Sequence, residues 1–196
     1  MENEKIDIIF LMDRSGSMYG SENDTIGGFN SFIEKQKKEE VDAKVTTILF
    51  DHGYEVLYKR KDLYDVKELT RNEYYVRGST ALLDAIGRTI TSMDREVENK
   101  VLFVITTDGY ENSSVEFTRK QIKNMINSHN WEFIYLGADI DSYAEASTIG
   151  IKRKNISNYK KTSEGIDKMY DSLSKMSVCY SKKGNIDESW KESLEE

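Results

Sequence analysis

Two segments of this sequence, "IDIIFLM" (6–12) and "KVLFVIT" (100–106), are apolar at almost every position. A strand with one wet face alternates apolar and polar residues. A nearly continuous run instead marks a strand covered on both sides, as in a parallel sheet flanked by helices. "KVTTILF" (44–50) and "EFIYLGA" (132–138) carry the same enrichment in β-branched and aromatic residues. "YEVLYKR" (54–60) follows 44–50 after the turn "DHG". So short a gap permits only an antiparallel hairpin, which puts 54–60 at an edge. Between the strands lie stripes at helical spacing: Ile26, Phe29, Phe32 and Ile33; Leu82, Leu83, Ile86, Ile90 and Met93; Ile122, Met125 and Ile126; Ile166, Met169, Tyr170, Leu173 and Met176. Each reads as the core-facing side of a helix. Strands alternating with helices predict an α/β fold with a mostly parallel central sheet, one antiparallel edge strand and helices on both faces.

The chain has 196 residues and no proline, and no linker or low-complexity tract divides it. The expectation is one domain over 1–184, followed by a polar, acidic tail or short helix over 185–196, "NIDESWKESLEE". A net charge of -7 argues against general affinity for nucleic acid or acidic membranes. The locally basic stretch "IKRKN" (151–155) with Lys160, Lys161, Lys182 and Lys183 therefore reads as a solvated face. The single cysteine, Cys179, excludes an internal disulfide and reads as packing. "MENEKID" lacks the basic and apolar regions of a signal peptide, and no apolar run approaches the ~20 residues of a membrane helix. A soluble cytoplasmic protein is expected, so the N-x-[ST] matches at Asn23, Asn112 and Asn155 read as chance.

In open α/β sheets the functional crevice lies beyond the carboxyl ends of the strands. The segments there are "DRSGS" (13–17), "DHG" (51–53), "TDGYENSS" (107–114) and "DIDS" (139–142). Asp51 and Asp139 are accounted for as turn formers that share this rim. "DRSGS" offers more: Asp13 brings a carboxylate, Ser15 and Ser17 bring hydroxyls at alternate positions, and Gly16 lets the backbone bend between them. Oxygen-only ligands suit a hard cation such as Mg²⁺, with Mn²⁺ or Ca²⁺ as alternatives. There is no Cys/His cluster for zinc, and His52 and His129 read as isolated, solvent-facing turn residues. In "GSTALLDA" (78–85), Ser79 or Thr80 reads as a helix N-cap or as a further hydroxyl for the site. Asp108 leaves the end of the apolar strand 100–106.

D-x-S-x-S, a Gly-Ser-Thr loop, then strand-T-D-G, in that order, resembles the von Willebrand factor A domain family over about residues 5–180. The resemblance implies a Rossmann-like fold with strand order 3-2-1-4-5 and a sixth short strand near 155–159. It also implies a metal-ion-dependent adhesion site whose residues carry over to Asp13, Ser15, Ser17, Thr80 and Asp108. In the family's pattern Ser15 and Ser17 bind the ion directly. Thr80 binds it directly or through water, and Asp13 and Asp108 act mainly through water. The implied function is Mg²⁺-dependent binding of a partner protein that supplies a carboxylate, without catalysis. "FDHGYEVLYKR", "IYLGADIDSYAEASTIGI" and the short N-terminus resemble compact bacterial and bacteriophage-borne members, and more loosely the A-domain proteins of tellurium-resistance clusters.

Two other readings compete. Aspartate after a first apolar strand also opens haloacid-dehalogenase-type phosphatases, but the acid/base Asp due two residues later is Ser15, a poor general base. A nucleic-acid-associated protein using the basic region 151–161 is the second, opposed by the acidic chain overall.

Overall fold

The computed structural model describes residues 4–195; the outermost residues of the expected domain and tail, 1–3 and 196, lie outside it. Six strands form one sheet: β1 (Ile6–Asp13), β2 (Ala43–Phe50), β3 (Tyr54–Asp62), β4 (Lys100–Thr107), β5 (Glu132–Ala138) and β6 (Ile156–Tyr159). Their order is β3-β2-β1-β4-β5-β6, parallel throughout except for the hairpin partner β3. β1 is buried at all eight positions, so its near-continuous apolar run is explained by helices on both sides.

Within β1 the side chains alternate between two cores. Ile6, Ile8, Phe10 and Met12 face α1 (Glu22–Lys38) and α5 (Ser163–Lys183). There Phe10 packs edge-on against Phe29 at 5.3 Å and Phe32 at 4.9 Å. Ile9 and Leu11 face α2 (Leu82–Met93) and α3 (Arg119–Ser128). α4 (Ser142–Thr148) adds Ala146 to that second core. With only seven residues it carries too short a stripe to be read from periodicity.

After α5, residues Glu188–Lys191 form a 3₁₀ turn and Glu192–Glu195 a last helical turn, α6. Lys191 is buried, and its ammonium donates to the carbonyls of Arg153 and Ile156 at 3.1 and 3.2 Å. The Trp190 indole donates to the Lys154 carbonyl at 3.0 Å. Most of the basic residues are solvent-exposed, as a solvated face would be: Lys152, Arg153, Lys160, Lys182 and Lys183 are exposed, and Lys154 and Lys161 half-buried. Arg153 lies over the Tyr143 ring at 4.6 Å, and Lys154 donates to the Ile186 carbonyl at 3.1 Å. His129, expected in solvent, is instead half-buried against Trp131 and pairs with Asp94 at 2.7 Å. The adjacent aromatic supplies a packing surface that a lone turn histidine would lack. Among the described residues no helix is long and apolar enough to cross a membrane.

The α1–α5 contact depends on a missing side chain. A Cβ at Gly28 would lie 2.1 Å from the Tyr170 ring, whereas one at the neighbouring Gly27 would meet nothing within 4 Å. Gly28→Ala is expected to destabilise by roughly 1–3 kcal/mol, and Gly27→Ala to stabilise by about 0.5–1 kcal/mol through helix propensity. Thermal melts of the two variants should therefore shift in opposite directions; a common rise would mean that the ring yields freely.

Candidate metal centre

β1 ends at Asp13, and the chain turns at once through Ser15 into a single 3₁₀ turn, Gly16–Met18. Met18 is buried, which anchors the turn from below. The turn brings Ser15 Oγ and Ser17 Oγ to 3.1 Å. Asp13 is 1 % exposed, and both its carboxylate oxygens are held: Oδ1 accepts from the Ser15 N–H at 2.7 Å and Oδ2 from Thr107 Oγ at 2.6 Å. Burial, the largest influence, pushes its carboxyl up to about 6. The Thr107 and Ser15 donors oppose that rise, and the charge of Asp108 adds to it.

Asp108 follows β4, and its Oδ1 accepts from Ser17 Oγ at 2.5 Å. Thr80 comes from the loop before α2. The residue at the N-cap of that helix is Ala81, which has no capping oxygen. The first N–H groups of α2 are satisfied from the loop after β4 instead. Leu83 N donates to Glu111 at 2.9 Å and Asp84 N to Ser114 Oγ at 3.0 Å. Neither Ser79 nor Thr80 is the cap, so the Thr80 hydroxyl is released from helix duty. Asn112 clamps the Thr80 backbone on both sides: its side chain accepts from Thr80 N at 2.9 Å, and its N–H donates to Thr80 O at 3.0 Å.

All five residues expected from the sequence thus meet at one rim. Gly109 reports where three of their oxygens converge. A Cβ there would lie 2.9 Å from Thr80 Oγ1, 3.3 Å from Ser17 Oγ and 3.8 Å from Asp13 Oδ2. Three segments far apart in sequence point oxygens at one small space in front of a residue with no side chain. Among the described residues no group of three or more His, Cys, Asp or Glu side chains gathers to hold a metal. A cation here would therefore rely on hydroxyls as well as on the two carboxylates, the chemistry of a hard ion.

Several contributors are not evident from the sequence reading. Thr107 stands inside the T-D-G motif itself and could have been found there. Asn112 and Glu111 sit in a segment that reads as a polar turn. Tyr74, fully buried, donates to the Asp13 carbonyl at 2.6 Å, and no local pattern announces it. Lys161 enters from the far end of the chain, 2.6 Å from Asp108 Oδ2.

Asp51 makes the turn expected of it, but its side chain is fully buried and does more than that. Its Oδ2 accepts from Arg14 Nε at 3.0 Å and Arg77 Nε at 2.8 Å, and its Oδ1 accepts from Gly53 N at 2.5 Å. Burial pushes its carboxyl up, but the Arg77, Gly53 and Arg14 donors outweigh that and hold it below the usual range. Two guanidiniums claim it, so it braces the loop from inside. Asp139 is exposed at the end of β5, with φ at 55°.

A family model described as von Willebrand factor type A domain matches residues 7–174. Solved structures agree at the level of fold. One is proximal thread matrix protein 1 from the mussel byssus with a zinc-occupied MIDAS motif, at 13% identity and TM-score 0.67, covering 90% of this chain and 46% of that one. Another is the pilus adhesin SpaC from Lactobacillus rhamnosus GG in its open conformation, at 13% identity and TM-score 0.73, covering 91% and 30%. A third is the vWF domain of the type V pili tip protein Mfa5 from Porphyromonas gingivalis, at 10% identity and TM-score 0.67, covering 88% and 96%. The chain spans less than half the length of the mussel and Lactobacillus proteins. No curated protein sequence matches it significantly.

Because burial disfavours the Asp13 anion, removing its charge should not cost folding stability. Asp13→Asn is expected to leave the Tm at pH 7, measured in EDTA, unchanged or raised. A fall of more than about 5 °C, over 1 kcal/mol for a domain this size, would show that the anion is structurally required.

Proposed function

We propose, for a chain that belongs to the von Willebrand factor type A domain family, that it is a Mg²⁺-dependent protein-binding module. Domains of this family generally mediate protein–protein interaction. In this reading Ser15, Ser17 and Thr80 supply hydroxyls, and Asp13 and Asp108 supply the negative charge, with Mn²⁺ and Ca²⁺ as alternative ions. A bound divalent ion would supply an electrophilic position that takes a carboxylate from a partner protein. The observation that carries the reading is the convergence of Thr80 Oγ1, Ser17 Oγ and Asp13 Oδ2 in front of Gly109.

The chain's own residues account for the rest. The Ser15 N–H and the Thr107 hydroxyl hold Asp13 in one orientation, and the Asn112 clamp holds Thr80, so the oxygens need little rearrangement to act together. Tyr19 and Tyr110 follow the two ligand loops and are exposed, at 79% and 50%. Tyrosine is among the residue types enriched at the hot spots of protein interfaces, once a partner buries it. Catalysis is not assigned. Ser15 stands where phosphoryl transfer through Asp13 would need a second carboxyl group.

Calorimetric titration with Mg²⁺ and Mn²⁺ tests the reading. Wild type is expected to bind one ion, and Ser15→Ala and Thr80→Ala to bind at least about tenfold more weakly, with unchanged circular dichroism. Equal binding by all three proteins would remove these residues from the site. A pull-down from the native host with and without EDTA then tests the partner: a protein retained only with divalent metal is expected, and retention indifferent to EDTA would contradict a carboxylate held through the ion.

A further inference from the structure

Lys161 reads from the sequence as part of a solvated basic face, but its side chain turns inward. The ammonium lies 2.6 Å from Asp108 Oδ2 and also donates to the main-chain carbonyl of Ser17. The Lys161 side chain is 22% exposed and that of Asp108 1%. Asp108 Oδ1 is already taken by Ser17 Oγ, while Oδ2 accepts no hydrogen bond of regular geometry among the described residues. The charge of Lys161 is thus what compensates that buried oxygen, which would otherwise be costly. The backbone that carries Lys161 is fixed as well. Lys161 immediately precedes Thr162, the N-cap of α5, whose hydroxyl accepts from Gly165 N at 3.1 Å. The Thr162 N–H donates to the Lys160 carbonyl at 2.8 Å, which tightens the same turn.

We propose that Lys161 is a built-in cation of the candidate metal centre, competing with a divalent ion for Asp108 and so setting the ion concentration at which the site loads. The inference rests on the metal-binding reading above. An ammonium has three donors and no lone pair, so it contributes nothing to coordination. A divalent ion using Ser17 and Asp108 meets a like charge on the same carboxylate, in surroundings too buried for effective screening. The ammonium must therefore leave toward solvent, to which it is already partly open, or stay and repel the ion. Both lower the affinity. Before loading, the same ammonium balances one of the two neighbouring carboxylates, which keeps the site folded without metal.

Lys160, exposed and one residue away, provides the control for charge at a distance. Mn²⁺ titrations and thermal melts with and without Mn²⁺ on wild type, Lys161→Met and Lys160→Met make the test. Lys161→Met is expected to bind Mn²⁺ about tenfold more tightly, to melt lower than wild type in EDTA, and to gain more from Mn²⁺. Lys160→Met is expected to match wild type. Lys161→Gln can still hydrogen-bond to Asp108 and is expected to tighten binding likewise; it carries the test if the methionine variant does not fold. Unchanged or weaker affinity on neutralising Lys161, or equal tightening by Lys160→Met, would overturn the competition while leaving the metal site intact. Absence of Mn²⁺ binding in wild type and both Lys161 variants would instead overturn the metal reading, and the competition with it.

Discussion

A carboxylate buried at the end of the central strand is the constraint around which the site is organised. Asp13 leaves β1 into an environment that withholds water, so its oxygens must be satisfied by protein groups or by a cation. Thr107 at the end of β4 and the Ser15 amide meet that need directly. β1 and β4 are parallel neighbours in register from Ile6 opposite Lys100 to Met12 opposite Thr106, which delivers both carboxyl ends to one rim. The topology of the sheet thus serves the chemistry: adjacent parallel strands end together, and the loops leaving them converge.

The next residue points elsewhere and solves a different problem. Arg14 is fully buried and spans to Asp51 at the end of β2, with Glu55 at 2.7 Å and the Tyr75 ring at 5.0 Å. Arg77 shares Asp51 from the loop that carries Thr80, and its N–H donates to the Arg14 carbonyl at 2.9 Å. The Gly16 N–H donates to Gly78 O at 3.0 Å, which adds a second tie between those loops. Buried ion pairs seldom add much net stability, but breaking one costs several kcal/mol. Their effect here is to fix the two hydroxyl-bearing loops against each other.

The sheet and its covering helices were legible because doubly buried strands and amphipathic helices leave periodic marks, as Ile6–Met12 and Leu82–Met93 do. The meeting of Asp13, Ser15, Ser17, Thr80 and Asp108 was legible only through an ordered set of short motifs attached to strand ends. The features that escaped have no local mark. Asp51 looks like any turn aspartate until two arginines from other segments claim it. Asn112 and Glu111 look like loop polarity until one clamps Thr80 and the other caps a helix whose own N-cap residue, Ala81, cannot. Lys161 looks like surface charge, and only the crossover into α5 shows that it reaches Asp108.

The central claim is that these five side chains surround a divalent cation. Crystals grown with Mn²⁺ and measured at a wavelength where manganese scatters anomalously test it most directly. The account predicts one anomalous peak in front of Gly109, among the oxygens of Ser15, Ser17 and Thr80. A peak elsewhere, or none there in crystals of protein saturated with Mn²⁺, would contradict it.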